Sequence, residues 1–343
     1  MHQGSTGIQL AHGGGGLLSQ RLIRELLLPA LAPDATVLHD AALLESPGRR
    51  LAFSTDSYVV RPLLFPGGDI GRLAVIGSCN DLAMAGARPV ALSLGLILEE
   101  GLALDTLRTV IASIRNACAQ CGVAVITGDT KVVERGKADG LFINTSAIGV
   151  VEHGLTIGPQ AVRPGDAVLV SGDLGRHGLA VLTARQELGF RCSLESDLAP
   201  LHSSVQQLLS AAVELHCLRD LTRGGLASAI DEIARDAGCT VELEEQAIPL
   251  HPAVHGACDL LGLDPLAMAN EGRMLVICAD AEAPRALELL RGHHPQACRI
   301  GRVGAPLAQA DALARRHPVS LRNGLGVLRP LDLGRGEQLP RIC

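Results

Sequence analysis

The residues able to do chemistry fall into three groups. The first is a thiol at the chain end, in Pro340-Arg341-Ile342-Cys343. Ahead of it, residues 334–339 hold two glycines and little apolar periodicity. Such a segment is poorly ordered unless something ties it down, and the ten residues 334–343, fully extended, reach about 30 Å. Arg341 lies close enough in sequence to help balance the terminal carboxylate. The second group is a set of aspartates, Asp56, Asp81, Asp129 and Asp220, each expected where a strand ends or a helix starts. Any one of them suits a turn or a cap. Gathered in one cleft they repel unless a cation joins them, and Mg²⁺ is the hard ion that binds both carboxylates and phosphates. Lys131, two residues past Asp129, suits a phosphate as a point charge, and so does Arg223 beside two glycines. The third group is the glycine run Gly13, Gly14, Gly15 and Gly16 ahead of an amphipathic stretch at 17–28. Backbone without Cβ atoms at a helix start can wrap phosphate oxygens with its amides. No Gly-Lys-Ser/Thr follows, so this is not a Walker A loop. Together the groups point to an Mg-nucleotide site built without a P-loop.

The elements that position these groups alternate between strand and helix. Leu51 to Asp56 reads as a strand that delivers an aspartate. Asp69 is a plausible N-cap for a helix from Ile70, which Gly77-Ser78-Cys79 is expected to break or kink before Asn80-Asp81. Val90 to Leu98 reads as a buried strand. Leu104, Leu107, Ile111, Ile114, Cys118 and Cys121 recur at helical spacing, so the CxxC they contain is expected to be core. Strand Val123–Ile126 and a turn at Thr127–Lys131 follow, then a strand from Leu141 to about Val151. A second α/β unit begins at Ala167. It carries helices after Gly178 and Gly225 and at 282–291, and strands at 273–278 and 298–303. The expected organisation is a glycine-rich segment and helix (1–36), an α/β domain (37–151), a linker (152–165), a second α/β domain (166–333) and a tail (334–343).

Composition removes several classes. The 343 residues are 47 % hydrophobic and 19 % charged, which excludes disorder. A net charge of −6 with four Phe, one Tyr and no Trp gives no surface for nucleic acid. No apolar run is long enough to span a membrane and no signal segment is visible, so a cytoplasmic protein is expected. The ten cysteines then read as reduced thiols rather than a disulfide framework. His251 and His255 lack a third ligand for zinc.

Several stretches resemble the HypE family, the carbamoyl dehydratases of nickel–iron hydrogenase maturation. They are the glycine run, STDSYVVRP at 54–62, FPGGDIGRLAVIGSCNDLAMAGARP at 65–89, TGDTKVV at 127–133, DLTRGGLA at 220–227, ANEG at 269–272 and GEQLPRIC at 336–343. The resemblance runs over nearly the whole chain. The middle motifs are shared with the wider aminoimidazole-ribonucleotide-synthetase-like superfamily, while the PRIC terminus is specific to HypE. It implies a two-domain α/β fold with a flexible C-terminal tail, a homodimer through the N-terminal domains, and ATP with Mg²⁺ in the interdomain cleft. It further implies that the carbamoyltransferase HypF loads Cys343. ATP-dependent dehydration then leaves a thiocyanate, and cyanide passes to iron held by a HypC–HypD complex. On the matching motifs, Asp56, Asp81 and Asp129 would hold the metal. Gly13 to Gly16, Asn80, Lys131, Asn144, Asp220 and Arg223 would surround the nucleotide. Glu271 would be the base that takes a proton from nitrogen.

Two positions depart from the family pattern. Arg176 stands where an aspartate is usual in Gly-Asp-His-Gly, and Leu221 replaces the proline of Asp-Pro-Thr-Arg. The first changes a charge beside the expected cleft, and the second is expected to affect turn rigidity. A selenide-activating relative would need a reactive cysteine near its N-terminus, whereas the first here is Cys79. A purine-biosynthetic or thiamine-phosphate kinase role leaves PRIC unexplained. A non-catalytic nucleotide-binding scaffold would bind ATP without turnover and be indifferent to loss of Cys343.

Overall fold

The computed structural model describes residues 16–21, 24–25, 42–46, 49–185, 194–333, 339 and 341–343. After a short helix α1 (Leu17–Arg21) come strands β1 (Ala42–Ser46) and β2 (Arg49–Tyr58) and a small hairpin, β3 (Leu64–Phe65) with β4 (Gly68–Asp69). Helix α2 (Ile70–Met84), strand β5 (Arg88–Glu99), helix α3 (Leu104–Cys121), strand β6 (Ala124–Val133) and strand β7 (Leu141–Val151) follow. The long strands form one sheet in the order β1-β2-β7-β5-β6. Its pairings are antiparallel except β5 with β6, which α3 connects as a parallel crossover.

Helix α2 is the spacer between the two halves of the molecule. Asp69 caps it, accepting from the Gly71 and Arg72 amides at 2.8 and 3.1 Å. A helix that is apolar on nearly every face must be covered on all sides. Ile70, Leu73 and Ile76 pack with Ala52, Leu92 and Ile143 of the first sheet, while Ala83 and Met84 pack with Leu169, Leu201 and Met274 of the second half. The break expected at Gly77–Cys79 does not occur. Gly77 is there because a Cβ would run into the Tyr58 hydroxyl, and Ser78 Oγ donates to the Ala74 carbonyl at 2.9 Å within an unbroken helix.

Three other sequence expectations need correction. The stripe on α3 is rotated: Val110, Ile114, Ala117, Cys118 and Cys121 are buried, while Leu104 is 66 % exposed. Thr127 to Lys131 is not a turn but the middle of β6, with Asp129 opposite Gly95 and Lys131 opposite Ile97. Strand β5 is not fully buried, because only one face of this sheet is covered by α2 and α3; Val90 and Ile97 on it are exposed. The CxxC is core, as expected. Cys121 hydrogen-bonds Cys79 of α2, which pushes the Cys79 thiol far up.

Residues 152–166 are irregular, with one 3₁₀ turn at Pro159–Ala161. The second half contains β8 (Ala167–Val170), α4 (Arg176–Ala184), α5 (His202–Ser210), β9 (Leu215–Asp220), α6 (Gly225–Ala237), β10 (Cys239–Glu244) and α7 (Pro252–Leu261). It continues with β11 (Met274–Cys278), α8 (Ala283–Arg291), β12 (Cys298–Pro306), α9 (Ala312–Arg316), β13 (Val319–Arg322) and β14 (Leu328–Pro330). The sheet order is β14-β13-β10-β12-β8-β11-β9. Strands β8 and β11 are buried throughout, because both faces of the sheet are covered. Val168, Val170, Leu275 and Ile277 face α6, and the alternate residues Leu169 and Val276 face α5 and α8.

Candidate active site

A cleft of about 660 Å³ lies where the two halves meet. Strand β2 supplies Asp56 and Tyr58, α2 supplies Asp81, and β7 supplies Asn144. From the second half come Asp220 at the end of β9, Arg223, and Glu271 just before β11. The chain end closes the set with Arg341, Ile342 and Cys343. The cleft therefore unites seven residues singled out from sequence: Asp56, Asp81, Asn144, Asp220, Arg223, Glu271 and Cys343.

Glu271 is held rigidly by its neighbours while its own carboxyl is left for chemistry. Asn270 is saturated: its Oδ1 accepts from Gly175 N at 2.7 Å, and its Nδ2 donates to the Leu221 and Met268 carbonyls at 3.0 and 3.1 Å. The Glu271 and Gly272 amides both donate to Asp197 Oδ2, at 3.2 and 2.9 Å. At Gly272 a Cβ would run into the Asp197 carbonyl, so the close approach requires glycine. The Glu271 side chain is only 3 % exposed, and its Oε1 has no hydrogen-bond partner among the described residues. Burial, then the charges of Asp220, Asp197 and Asp56, push its pKa well above the ordinary carboxylate range, against the pull of Arg223. A carboxyl raised in this way holds a proton more tightly than an exposed one.

On the opposite wall, Ser54 Oγ donates to Asp81 Oδ2 at 2.6 Å. Asn144 Nδ2 donates to the Asp56 carbonyl at 2.9 Å and to Ser57 Oγ at 2.8 Å, locking the end of β2 against β7. Mg²⁺ takes one or two carboxylates and fills its shell with water and phosphate oxygens. Asp56 and Asp81, lining one cleft, fit that demand. Among the described residues no three His, Cys, Asp or Glu side chains are grouped to hold a metal by themselves. Tyr58, which sequence reasoning passed over, is buried beneath them, its hydroxyl 3.3 Å from Ser78 Oγ.

The chain end is docked in the cleft. Val59 N donates to a carboxylate oxygen of Cys343 at 3.1 Å and Arg61 N to the Arg341 carbonyl at 3.4 Å, so the end runs alongside the residues following β2. Ile342 is 4 % exposed and joins the core of the first half, with Leu339 and Cys343 packed against it. Arg341 does not balance the terminal carboxylate as its position suggested. Its Nη1 bonds Asp139 at 2.6 Å, its Nε donates to the Val59 carbonyl at 3.0 Å, and its guanidinium lies 5.7 Å from the Phe142 ring. Residues 334–338 and 340 of the expected mobile tail lie outside the described residues, as do Gly13, Gly14 and Gly15.

Other expected site residues stand elsewhere. Asn80 does not line the cleft. Its Nδ2 donates to the Ala199 and Glu271 carbonyls at 3.1 and 3.2 Å, and its Oδ1 accepts from Leu201 N at 2.8 Å, so it staples the two halves together. Asp129 and Lys131 sit on exposed β6, paired with each other at 2.8 Å; that pairing lowers the Asp129 pKa. Within one chain they are not brought to the cleft. Gly16 is buried at the start of α1, and just beyond it Gln20 and Arg24 reach Glu232 and Asp236 of α6 at 3.4 and 2.8 Å. Of the two departures, Arg176 turns toward Asp173 at 3.5 Å and the Glu195 carbonyl at 3.4 Å, away from the cleft lining. Leu221 does more than change rigidity: its amide donates to the Arg273 carbonyl at 3.0 Å, a bond proline cannot make.

Comparison with known proteins accounts for this architecture. Residues 38–151 match the family described as AIR synthase related protein, N-terminal domain, and residues 163–308 match the corresponding C-terminal domain. The carbamoyl dehydratase HypE of Rhodobacter capsulatus is 48 % identical over 343 residues, covering 98 % of both chains. A crystal structure of hydrogenase maturation protein HypE in complex with ATP is 44 % identical, with a TM-score of 0.81 over 98 % of this chain and 100 % of that one. A chain in a crystal structure of a HypE–HypF complex is 38 % identical, with a TM-score of 0.84 over 91 % of this chain and 99 % of that one. The chain belongs to the HypE family of carbamoyl dehydratases, enzymes built on the two-domain AIR synthase related fold.

Proposed function

We propose that this enzyme dehydrates a carbamoyl group carried on Cys343, using ATP, to leave a thiocyanate on the sulfur. The observation that carries the reading is the terminal thiol lying in the same cleft as Glu271, Asp56 and Asp81. ATP supplies the phosphoryl group that turns the carbamoyl oxygen into a leaving group. When that oxygen departs as phosphate, nitrogen must lose both of its protons to form C≡N, and one of the two ends on the departing phosphate. Glu271 accepts one of them, and its raised affinity for a proton suits the task. Asp56 and Asp81 are the residues that would hold Mg²⁺, and Asp220 and Arg223 would face the nucleotide from the second half.

The same reading takes HypF as the donor of the carbamoyl group and a HypC–HypD complex as the acceptor of cyanide for hydrogenase iron, in the cytoplasm. A homodimer along β6 belongs to it. That strand is an exposed edge carrying Ile126 and Val132 at 66 % and 69 % exposure, a surface that invites a second copy. The test follows the intact mass of the protein after incubation with HypF, carbamoyl phosphate and ATP. A gain of one carbamoyl group, then loss of one water from the adduct, is expected. A protein whose carbamoyl adduct keeps its water in the presence of ATP would sink the proposal.

A further inference from the structure

Sulfur and base can cooperate only if the tail stops at one depth. The tail lies against the first half through main-chain bonds from Val59 and Arg61, and the half-exposed Arg185 adds a bond to the Arg341 carbonyl at 2.8 Å. One contact differs in kind. His177, fully buried at the start of α4, has Nε2 2.8 Å from the carbonyl of Ile342, the residue before the reacting cysteine. A carbonyl oxygen can only accept, so Nε2 carries the hydrogen. Nδ1 then accepts from Ser196 Oγ, 2.8 Å away, while Phe65 meets the ring edge-on at 5.3 Å. Burial pushes the His177 pKa down, which keeps the ring in this neutral form. Its main chain is tied to the base. The His177 amide donates to Asp197 Oδ1 at 3.0 Å, and the other oxygen of that carboxylate receives the amides of Glu271 and Gly272.

We infer that His177 is a positioning residue: its Nε2–H sets how deeply Cys343 enters the cleft, and Asp197 ties that setting to the position of Glu271. This rests on Cys343 being the carrier, but the first test does not. In the full chain without ATP or donor, iodoacetamide labelling of Cys343 is followed on the C-terminal peptide by mass spectrometry. His177→Ala should speed labelling by about tenfold, the effect of losing one buried neutral hydrogen bond. His177→Gln, which keeps a donor at a similar reach, should return most of that protection. In single-turnover dehydration of the carbamoylated protein, His177→Ala should slow the step by a similar factor with ATP affinity unchanged, and His177→Gln should recover it. Ser196→Ala, which frees the ring without removing the donor, gives a second handle if His177→Ala fails to fold; its labelling should rise by a smaller factor. Unchanged labelling in a folded His177→Ala or Ser196→Ala protein, or equal labelling in the Gln and Ala variants, overturns the inference. A parent protein that never dehydrates while the labelling pattern holds refutes the proposed reaction and leaves the tail setting intact.

Discussion

Glu271→Gln is the sharpest perturbation, because it should move activity and stability in opposite directions. Glutamine keeps the shape and removes the charge. As the residue that takes a proton from nitrogen, Glu271 should be worth roughly 10²–10⁴ in the rate of dehydration. In the folded state its pKa is raised above the ordinary value near 4.5, so the folded protein binds this proton more tightly than the unfolded chain does. Stability then falls as pH rises from that ordinary value toward the raised one, and the full cost is present above it. Once ionised, the carboxylate has its Oε1 buried without a hydrogen-bond partner among the described residues. Removing the charge from such a group is worth about 1–3 kcal/mol. At roughly 2–4 °C per kcal/mol for a domain of 150–250 residues, Glu271→Gln should melt several degrees above the parent at pH 8 and level with it near pH 4.5. The assay pairs single-turnover intact mass with thermal melts across that range. Parent-level dehydration would remove Glu271 as the base. A melting difference that stays constant with pH would show that its ionisation carries no folding cost.

Three further outcomes test other parts of the site. A few residues appended after Cys343 must pass the point where Val59 N holds the terminal carboxylate, so they should slow dehydration more than carbamoylation; equal slowing, measured against an N-terminal tag, refutes the docked geometry. Ile126→Lys puts a charge on the exposed edge strand and should convert a dimer to a monomer in light scattering; an unchanged mass places the interface elsewhere. Leu221→Pro restores the usual family residue but deletes the amide bond to Arg273, and should lower the melting temperature by an amount equivalent to about 1–3 kcal/mol; a higher melting temperature would mean the gain in turn rigidity outweighs that bond.

Much of this protein can be read locally. The Asp69 cap, the alternation of strands and helices and the terminal Cys343 are properties of short stretches, set by dihedral preference and apolar spacing. Even the interdomain cleft was anticipated residue by residue in Asp56, Asp81, Asp220, Arg223 and Glu271. What local pattern could not reveal is which side chains are consumed by packing. Asn80 and Asp81 are adjacent on one helix, yet a rotation of about 100° per residue turns Asn80 into the junction between halves and Asp81 into the cleft. Thr127 to Lys131 carries turn-forming residues but is strand, because the ladder to β5 outweighs local preference. Arg341 looked like a partner for its own carboxylate until the fold brought Asp139 and Phe142 to it across 202 and 199 residues of chain. His177 and Asp197 acquire their roles only through contacts with Ile342 and Glu271, remote in sequence: Asp197 meets Glu271 once the second half has folded, and His177 meets Ile342 only once the tail has docked.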